Sequence, residues 1–586
     1  MSALLIVLFI AAILRIIPVI MDIGINGADA ATHLCYLKQN RAIIGHILKN
    51  GNITPEFIRD YADQIGYLHS PTAIGVIPWL DRPLHNLSTL FFSLFFGESD
   101  LTILIPAILY SLLIIIVVYL IAEKLSNKWV GIIAASLTAL SCDQFTETLT
   151  AMAHIETNLL LLTGIYLHLI WDETNQNKYE ILAAIAWGLA VSSHPDVIPF
   201  LFFYLVLEII RTLIITPSLV LKQIALIGII FIPIIIIYDA LLWMMAAIWG
   251  KETALSLFIS DRMLTYQKTH VGSSLFEGLY IYLSFSATAI KVQLFTFSDR
   301  LMAFIFGKLL LNEGVFFMLL FPFIWIISIL SPFILYIKRR HFDALASISI
   351  TIVTNILFLL LYNGVTTETR HLLHIYYLMI ILLPVISYIL ISNSTFKFNK
   401  FILQPKLLYI FIALLFFSNM IYVYPLFTYQ YGAKQLGRKL QVKGISKVHT
   451  FSHSGLNVYL PAYGIKVTHL PETLSPSDLE KYENLDWVVR TQWANETEKN
   501  WDKLIEKNSN NNDIDEAYLI DDLGEYLLNN RFFNNNPLSH IWRNLVQLTG
   551  KKVKSASLLQ KRLYIIKNSK LIELLSSDKA SPDSEI

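Results

Sequence analysis

Apolar runs separated by short polar breaks fill the first three quarters of the chain. They lie near 4–21, 101–122, 129–141, 155–171, 180–193, 197–216, 223–244, 310–336, 343–362, 371–391 and 407–424. A helix needs about 20 mostly apolar residues to cross a bilayer, so the pattern predicts about eleven spans. A further apolar stretch, Leu275–Phe297, suits a re-entrant segment or two short spans. Two connections are long, 22–100 and 245–309. In the first, Asn40–Lys49 and Pro55–Ile65 read as short helices, and Leu87–Phe96 is apolar enough for the membrane interface. From Lys434 the pattern changes to polar, Asn-rich sequence. There Lys447–Phe451, Trp487–Arg490 and Arg562–Ile566 read as strands. Ser475-Pro476-Ser477-Asp478 reads as a helix start and Asn500–Lys507 as part of another helix.

The expected fold is a polytopic α-helical membrane protein with a C-terminal extracytoplasmic α/β domain. The domain boundaries expected are 1–429 and 430–586. Composition supports the membrane reading: 586 residues are 55% hydrophobic and 15% charged, against roughly 25% charged in soluble chains. A net charge of +1 gives no reason to expect a nucleic-acid partner. Two cysteines, Cys35 and Cys142, exclude a disulfide scaffold; one bridge or two unrelated thiols both remain open. The first apolar run has no preceding Lys or Arg, and Arg15 interrupts it, so it reads as a retained anchor rather than a cleaved signal.

Basic residues set the expected orientation. Lys124, Lys128, Lys178, Arg211, Lys222, Lys338, Arg339, Arg340, Lys397, Lys400 and Lys406 fall on alternate connections. The positive-inside rule places these in the cytoplasm, and 22–100, 245–309 and the C-terminal region outside.

Ionisable groups in or beside spans are expensive and are candidates for function by default. Five clusters face outward in this topology. Asp29 follows the first span, with His33 four residues on and therefore on the same face of a helix. Arg15 lies inside that span, where a cation costs about 2.5–3.5 kcal/mol. It pairs with Asp22 or lines a site for an anionic headgroup. His69 occupies a proline-marked turn, Tyr67–Thr72. His154 and Glu156 enter the span near 155, two positions apart and so toward different partners. His194 and Asp196 form a tight turn between spans, and Glu368, Arg370 and His371 precede another, with His374 one turn into it. Arg370 has the planar fork that suits phosphate, unless it is spent on Glu368. Carboxylates with histidines suit acid–base work and would also suit a divalent cation; no spacing matches a zinc motif. The chain contains no Walker loop and no dinucleotide fingerprint.

The order of these features resembles the GT-C superfamily of membrane glycosyltransferases, nearest to the protein O-mannosyltransferase and aminoarabinose transferase type. It runs from an Arg late in the first span and an acid just after it, through His69-Ser70-Pro71, an acid entering a span, and Glu368-Thr369-Arg370-His371, to a soluble outer domain. The resemblance covers about residues 1–390. In place of the family's paired acids stands Ala28-Asp29-Ala30. The resemblance implies sugar transfer from a polyprenyl-phosphate donor to a lipid, glycan or protein acceptor at the outer membrane face. Asp29 and Glu156 would be the catalytic acids. Arg15, His33, His69, His154, His194, Asp196, Glu368, Arg370 and His371 would contact substrate. No organic cofactor is implied. The rival classes are a transporter or flippase of a lipid-linked glycan, for which inverted repeats would be the sign, and a non-catalytic membrane assembly protein.

Overall fold

The computed structural model describes residues 2–20, 28–51, 54, 56–57, 82–141, 144–145, 147–148, 153–194, 197–221, 224–225, 228–230, 232–234, 236–237, 326–337, 343–362, 373–392, 437–438, 440–450, 460, 463–469, 487–491, 514–520 and 560–567. The chain divides into two compact units. One is Met1–Ile17, Ile77–Pro425 and Asn535–Val553; the other is Pro18–Val76, Leu426–Asn534 and Lys554–Ile586.

The first unit is helical. Its described helices are α1 (Ser2–Ile20, whose last residues fall in the second unit), α3 (Pro83–Phe96), α4 (Leu101–Leu125), α5 (Lys128–Ala139), α6 (Ala153–Thr174), α7 (Asn177–Ser193), α8 (Ile198–Ile215), α9 (Ile326–Ile337), α10 (Ala344–Tyr362) and α11 (Leu373–Ser392). They follow the apolar runs closely. Among the described residues α4, α6 and α8 are long and apolar enough to cross a membrane; α1, α5, α9, α10 and α11 contain shorter apolar segments. Phe202, Leu213 and Ile214 of α8 and Phe9 of α1 are exposed, as the lipid-facing side of a membrane helix should be.

Local chemistry sets the helix ends. Asn127 caps α5, its side-chain oxygen accepting from the backbone N–H groups of Trp129 and Val130 at 3.0 and 3.2 Å. Pro83 opens α3 and Gly97 closes it at φ 67, a positive φ that glycine adopts without steric cost. Helices α4 and α5 form one antiparallel hairpin, α6 and α7 another, and α4 packs on α6. The α6–α7 contact is close because Gly164 has no side chain: a Cβ there would lie 2.3 Å from Nε1 of the buried Trp187. Lys124 and Glu173 pair at the ends of α4 and α6, so those two ends lie together.

The second unit contains α2 (Ala28–Asn50) and a five-stranded sheet. The single 23-residue helix α2 replaces the separate short helix expected at Asn40–Lys49 and carries both Asp29 and His33. His33 and Gln39 interrupt its apolar face and hide its length from a periodicity reading. The strands are β1 (Lys447–Thr450), β2 (Lys466–His469), β3 (Trp487–Thr491), β4 (Ile514–Ile520) and β5 (Gln560–Lys567), in the order β2-β1-β3-β5-β4. The first three are parallel: Lys447 is opposite Lys466, and His449 opposite Val488. β5 runs antiparallel to both neighbours, with Trp487 opposite Lys567 and Ile514 opposite Ile566. Leu440, Ile445, Val448, Leu460 and Ile465 are buried beside this sheet's parallel edge. The helix starts expected at Ser475 and in Asn500–Lys507 lie outside the described residues, as do the stretches 275–297 and 407–424.

Candidate functional site

The first unit brings three helices, α3, α6 and α7, together around Glu156. Glu156 sits in the first turn of α6, where the helix dipole favours negative charge. His85, three residues into α3 counting from Pro83, places Nδ1 3.0 Å from Glu156 Oε2. Ser193, the last residue of α7, donates its hydroxyl to the same oxygen at 3.4 Å. Both contacts fall on Oε2 and neither uses Oε1. The side chains of His85 and Glu156 are 7% and 8% exposed. His154, two residues before Glu156, lies against another partner: its ring is 4.2 Å from that of His194, which follows α7. Both histidines are buried. On the neighbouring face Ser88 and Tyr110 share a hydrogen bond of 2.6 Å, joining α3 to α4.

The backbone leading into α3 is strained. Arg82 has φ 64 and ψ 61, a left-handed conformation that costs a residue with a side chain about 1–2 kcal/mol. A residue before proline favours extended backbone instead. That turn sets the start of α3 and so the place of His85.

Arg15 is fully buried in α1. Its guanidinium donates to the Ser111 hydroxyl at 2.7 Å, the carbonyls of Ala11 and Ala139 at 3.1 Å each, and Gln144 Oε1 at 3.1 Å. Gln144 in turn donates to the Ser111 carbonyl at 3.0 Å. Arg15 is thus an interhelical clamp joining α1, α4 and the end of α5, and its described donors are all turned to protein. His374 begins the buried face of α11, edge-on to Phe200 with ring centres 5.8 Å apart.

The remaining expected residues divide as follows. Asp29 lies in α2, with its side chain outside the description; His33 is buried in the same helix, its ring edge-on to Tyr36 at 6.1 Å. His69, Asp196, Glu368, Arg370 and His371 lie outside the described residues, as does Asp22, the alternative partner for Arg15. Among the described residues no group of three or more His, Cys, Asp or Glu side chains is placed to hold a metal ion.

His85 was not anticipated from the sequence. It stands among Leu84, Asn86 and Ser88, just ahead of the apolar stretch at Leu87, and nothing in that spacing distinguishes it from a solvated loop histidine. A second cluster was also missed, about 18 Å along α6 from Glu156 at 1.5 Å per residue. There His168 Nδ1 is 2.8 Å from Glu180 Oε2 of α7, and Nε2 is 3.1 Å from Glu208 Oε2 of α8. Arg211 bonds Glu208 and also Asp172, the latter at 2.8 Å. Trp171, Trp187 and Tyr204 surround the His168 ring at 5.2, 5.7 and 5.8 Å. Carboxylates only accept, so a histidine bonded to one at each nitrogen donates from both and carries positive charge. Three acids then face two cations.

A comparison with family models matches residues 82–243 to the dolichyl-phosphate-mannose-protein mannosyltransferases. No curated protein matches the chain. Solved structures give distant likenesses. The oligosaccharyltransferase of Archaeoglobus fulgidus in complex with Zn and sulfate is 12% identical, with a TM-score of 0.46, covering 83% of this chain and 68% of that one. The same archaeon's AglB, in complex with an inhibitory peptide and a dolichol-phosphate, is 14% identical at a TM-score of 0.41, covering 83% and 69%. ArnT from Cupriavidus metallidurans, bound to undecaprenyl phosphate, is 12% identical at 0.49, covering 85% and 94%. Over residues 82–243, the segment that holds α3 to α8 and the Glu156 cluster, the chain is therefore similar to membrane glycosyltransferases of the GT-C type.

Proposed function

We propose that the protein is a glycosyltransferase that moves a sugar from a polyprenyl-phosphate donor to an acceptor hydroxyl at the outer membrane face. The observation that carries this is Glu156: a buried carboxylate at the end of an apolar helix, tethered through one oxygen, inside the family-matched segment. A buried carboxylate in a membrane protein is costly unless it is used or paired. Donors of this chemistry suit a chain with no nucleotide-binding loop, and the AglB and ArnT structures hold dolichol-phosphate and undecaprenyl phosphate.

In the proposed reaction the acceptor oxygen attacks the anomeric carbon and the bond from that carbon to the phosphate oxygen breaks. The polyprenyl phosphate leaves with the electron pair, and the acceptor proton passes to a carboxylate. Glu156 suits that proton transfer or the ordering of the acceptor. The resemblance gives Asp29 the base role and Arg370 the stabilisation of the departing phosphate, where preorganised charge is usually the largest catalytic contribution. The soluble C-terminal region, 430–586, then serves as the extracytoplasmic α/β domain.

The test is transfer of radiolabelled mannose from dolichyl-phosphate mannose by protein in liposomes. D29N and E156Q should each lose most of the turnover, and R370A should raise the donor concentration required. Near-normal turnover in both acid variants would remove the proposed chemistry. Donor flipping without transfer would move the protein to the transporter class.

A further inference from the structure

Glu156 arrives at the start of α6 with a choice of rotamers, and two neighbours restrict it. Ser193 reaches it at 3.4 Å, a weak contact; His85 reaches it at 3.0 Å from a different helix, α3. His85 also enters at a fixed place, because the Arg82 turn at φ 64 and Pro83 set where α3 begins. Both neighbours hold Oε2. A carboxylate gripped by one oxygen has its plane and its other oxygen directed.

We propose that His85 is a positioning residue: its Nδ1–H holds Oε2 of Glu156 so that Oε1 is the oxygen left for the proton-transfer or acceptor-ordering work. This rests on Glu156 being a working carboxylate, as proposed above. The hydrogen bond fixes the orientation of Glu156, as outer partners commonly do for the groups they support. The acceptor atom requires a donor at the Nδ1 position and nothing at Nε2. Asparagine places its amide nitrogen near Nδ1, and glutamine places its own near Nε2. The two substitutions therefore separate donor position from donor presence.

The experiment compares wild type, H85N and H85Q as full-length protein in liposomes. The first readout needs no substrate: the rate at which dicyclohexylcarbodiimide, which reacts with protonated carboxyls, labels Glu156, followed by mass spectrometry. Loss of the tether leaves Oε2 open to the reagent, so H85Q should label at least about threefold faster than wild type and H85N within about twofold of it. Any smaller increase in H85Q, or equal increases in both variants, overturns the proposal. The second readout is transfer from dolichyl-phosphate mannose. H85Q should lower kcat about 10- to 100-fold with little change in KM, as loss of an orienting partner does elsewhere, and H85N should recover most of it. If labelling responds as expected while E156Q transfers normally, the contact stands and the role of Glu156 in the reaction falls.

Discussion

The two ends of α6 pair buried carboxylates and histidines in different ways. At one end His168 lies between Glu180 and Glu208, and Arg211 spans Glu208 and Asp172. Each charge there has a charged neighbour, three helices are tied, and aromatic rings close the surround. At the other end Glu156 is held through one oxygen by a histidine and a serine, and two further histidines lie ring to ring beside it. Burial alone does not separate the two, since both are buried. The cations do. The contacts of Glu180 and Glu208 also fall on Oε2 alone, but they come from His168, shared between the two acids, and from the Arg211 guanidinium. An ion-pair network of that kind is a staple whose removal is felt as lost stability. A carboxylate tethered by one histidine and a hydroxyl can still take a proton or order a ligand.

The largest effect that would break this contrast is expected at His168. H168A leaves Glu180 and Glu208 buried without the cation between them, and removing one partner of a buried ion pair costs about 3–5 kcal/mol. Thermal unfolding in detergent should show it as a large drop in Tm; an unchanged Tm would mean the network is no staple. Next comes E156Q, which should keep Tm near wild type while lowering transfer about 100-fold, the low end for loss of an acid–base group. Equal losses of Tm and turnover would make both ends structural. Arg15 sharpens the line between them. R15L removes four buried hydrogen bonds, and about 2 kcal/mol of stability should go with them. Its donor dependence should be unchanged, because the described donors of Arg15 face protein; a raised KM for dolichyl-phosphate mannose would instead place a headgroup against it. The smallest effect is N127A, which removes the α5 cap for about 1 kcal/mol and should leave turnover untouched.

The described helices of the first unit were legible because an apolar run advertises itself by composition. Bounds such as Leu101–Leu125 and Ile198–Ile215 lie within a few residues of the apolar runs. His154, Glu156 and His194 were legible for the converse reason: each is ionisable and stands at the edge of an apolar run. His168, Glu180 and Glu208 were not. They are scattered singly along three helices, and only the packing of α6, α7 and α8 makes them neighbours. Arg211 was read from the sequence as a marker of orientation, which concealed that it is spent on Glu208 and Asp172. In the sheet, β3 and β5 have β-branched or aromatic runs, and Phe451 follows β1. β2 holds the same four residue types as β1 with no aromatic residue next to it, and β4 carries Asp515 and Glu516 near its start; for both, pairing with β1 and β5 decides what composition does not.

Gly164 carries a mechanical consequence. With the indole of Trp187 seated where a methyl group would be, α6 and α7 have no clearance through which to slide. Shearing one past the other by part of a turn would drive the ring into the backbone opposite. Sliding is opposed at this contact, so a motion of the hairpin keeps Gly164 and Trp187 together.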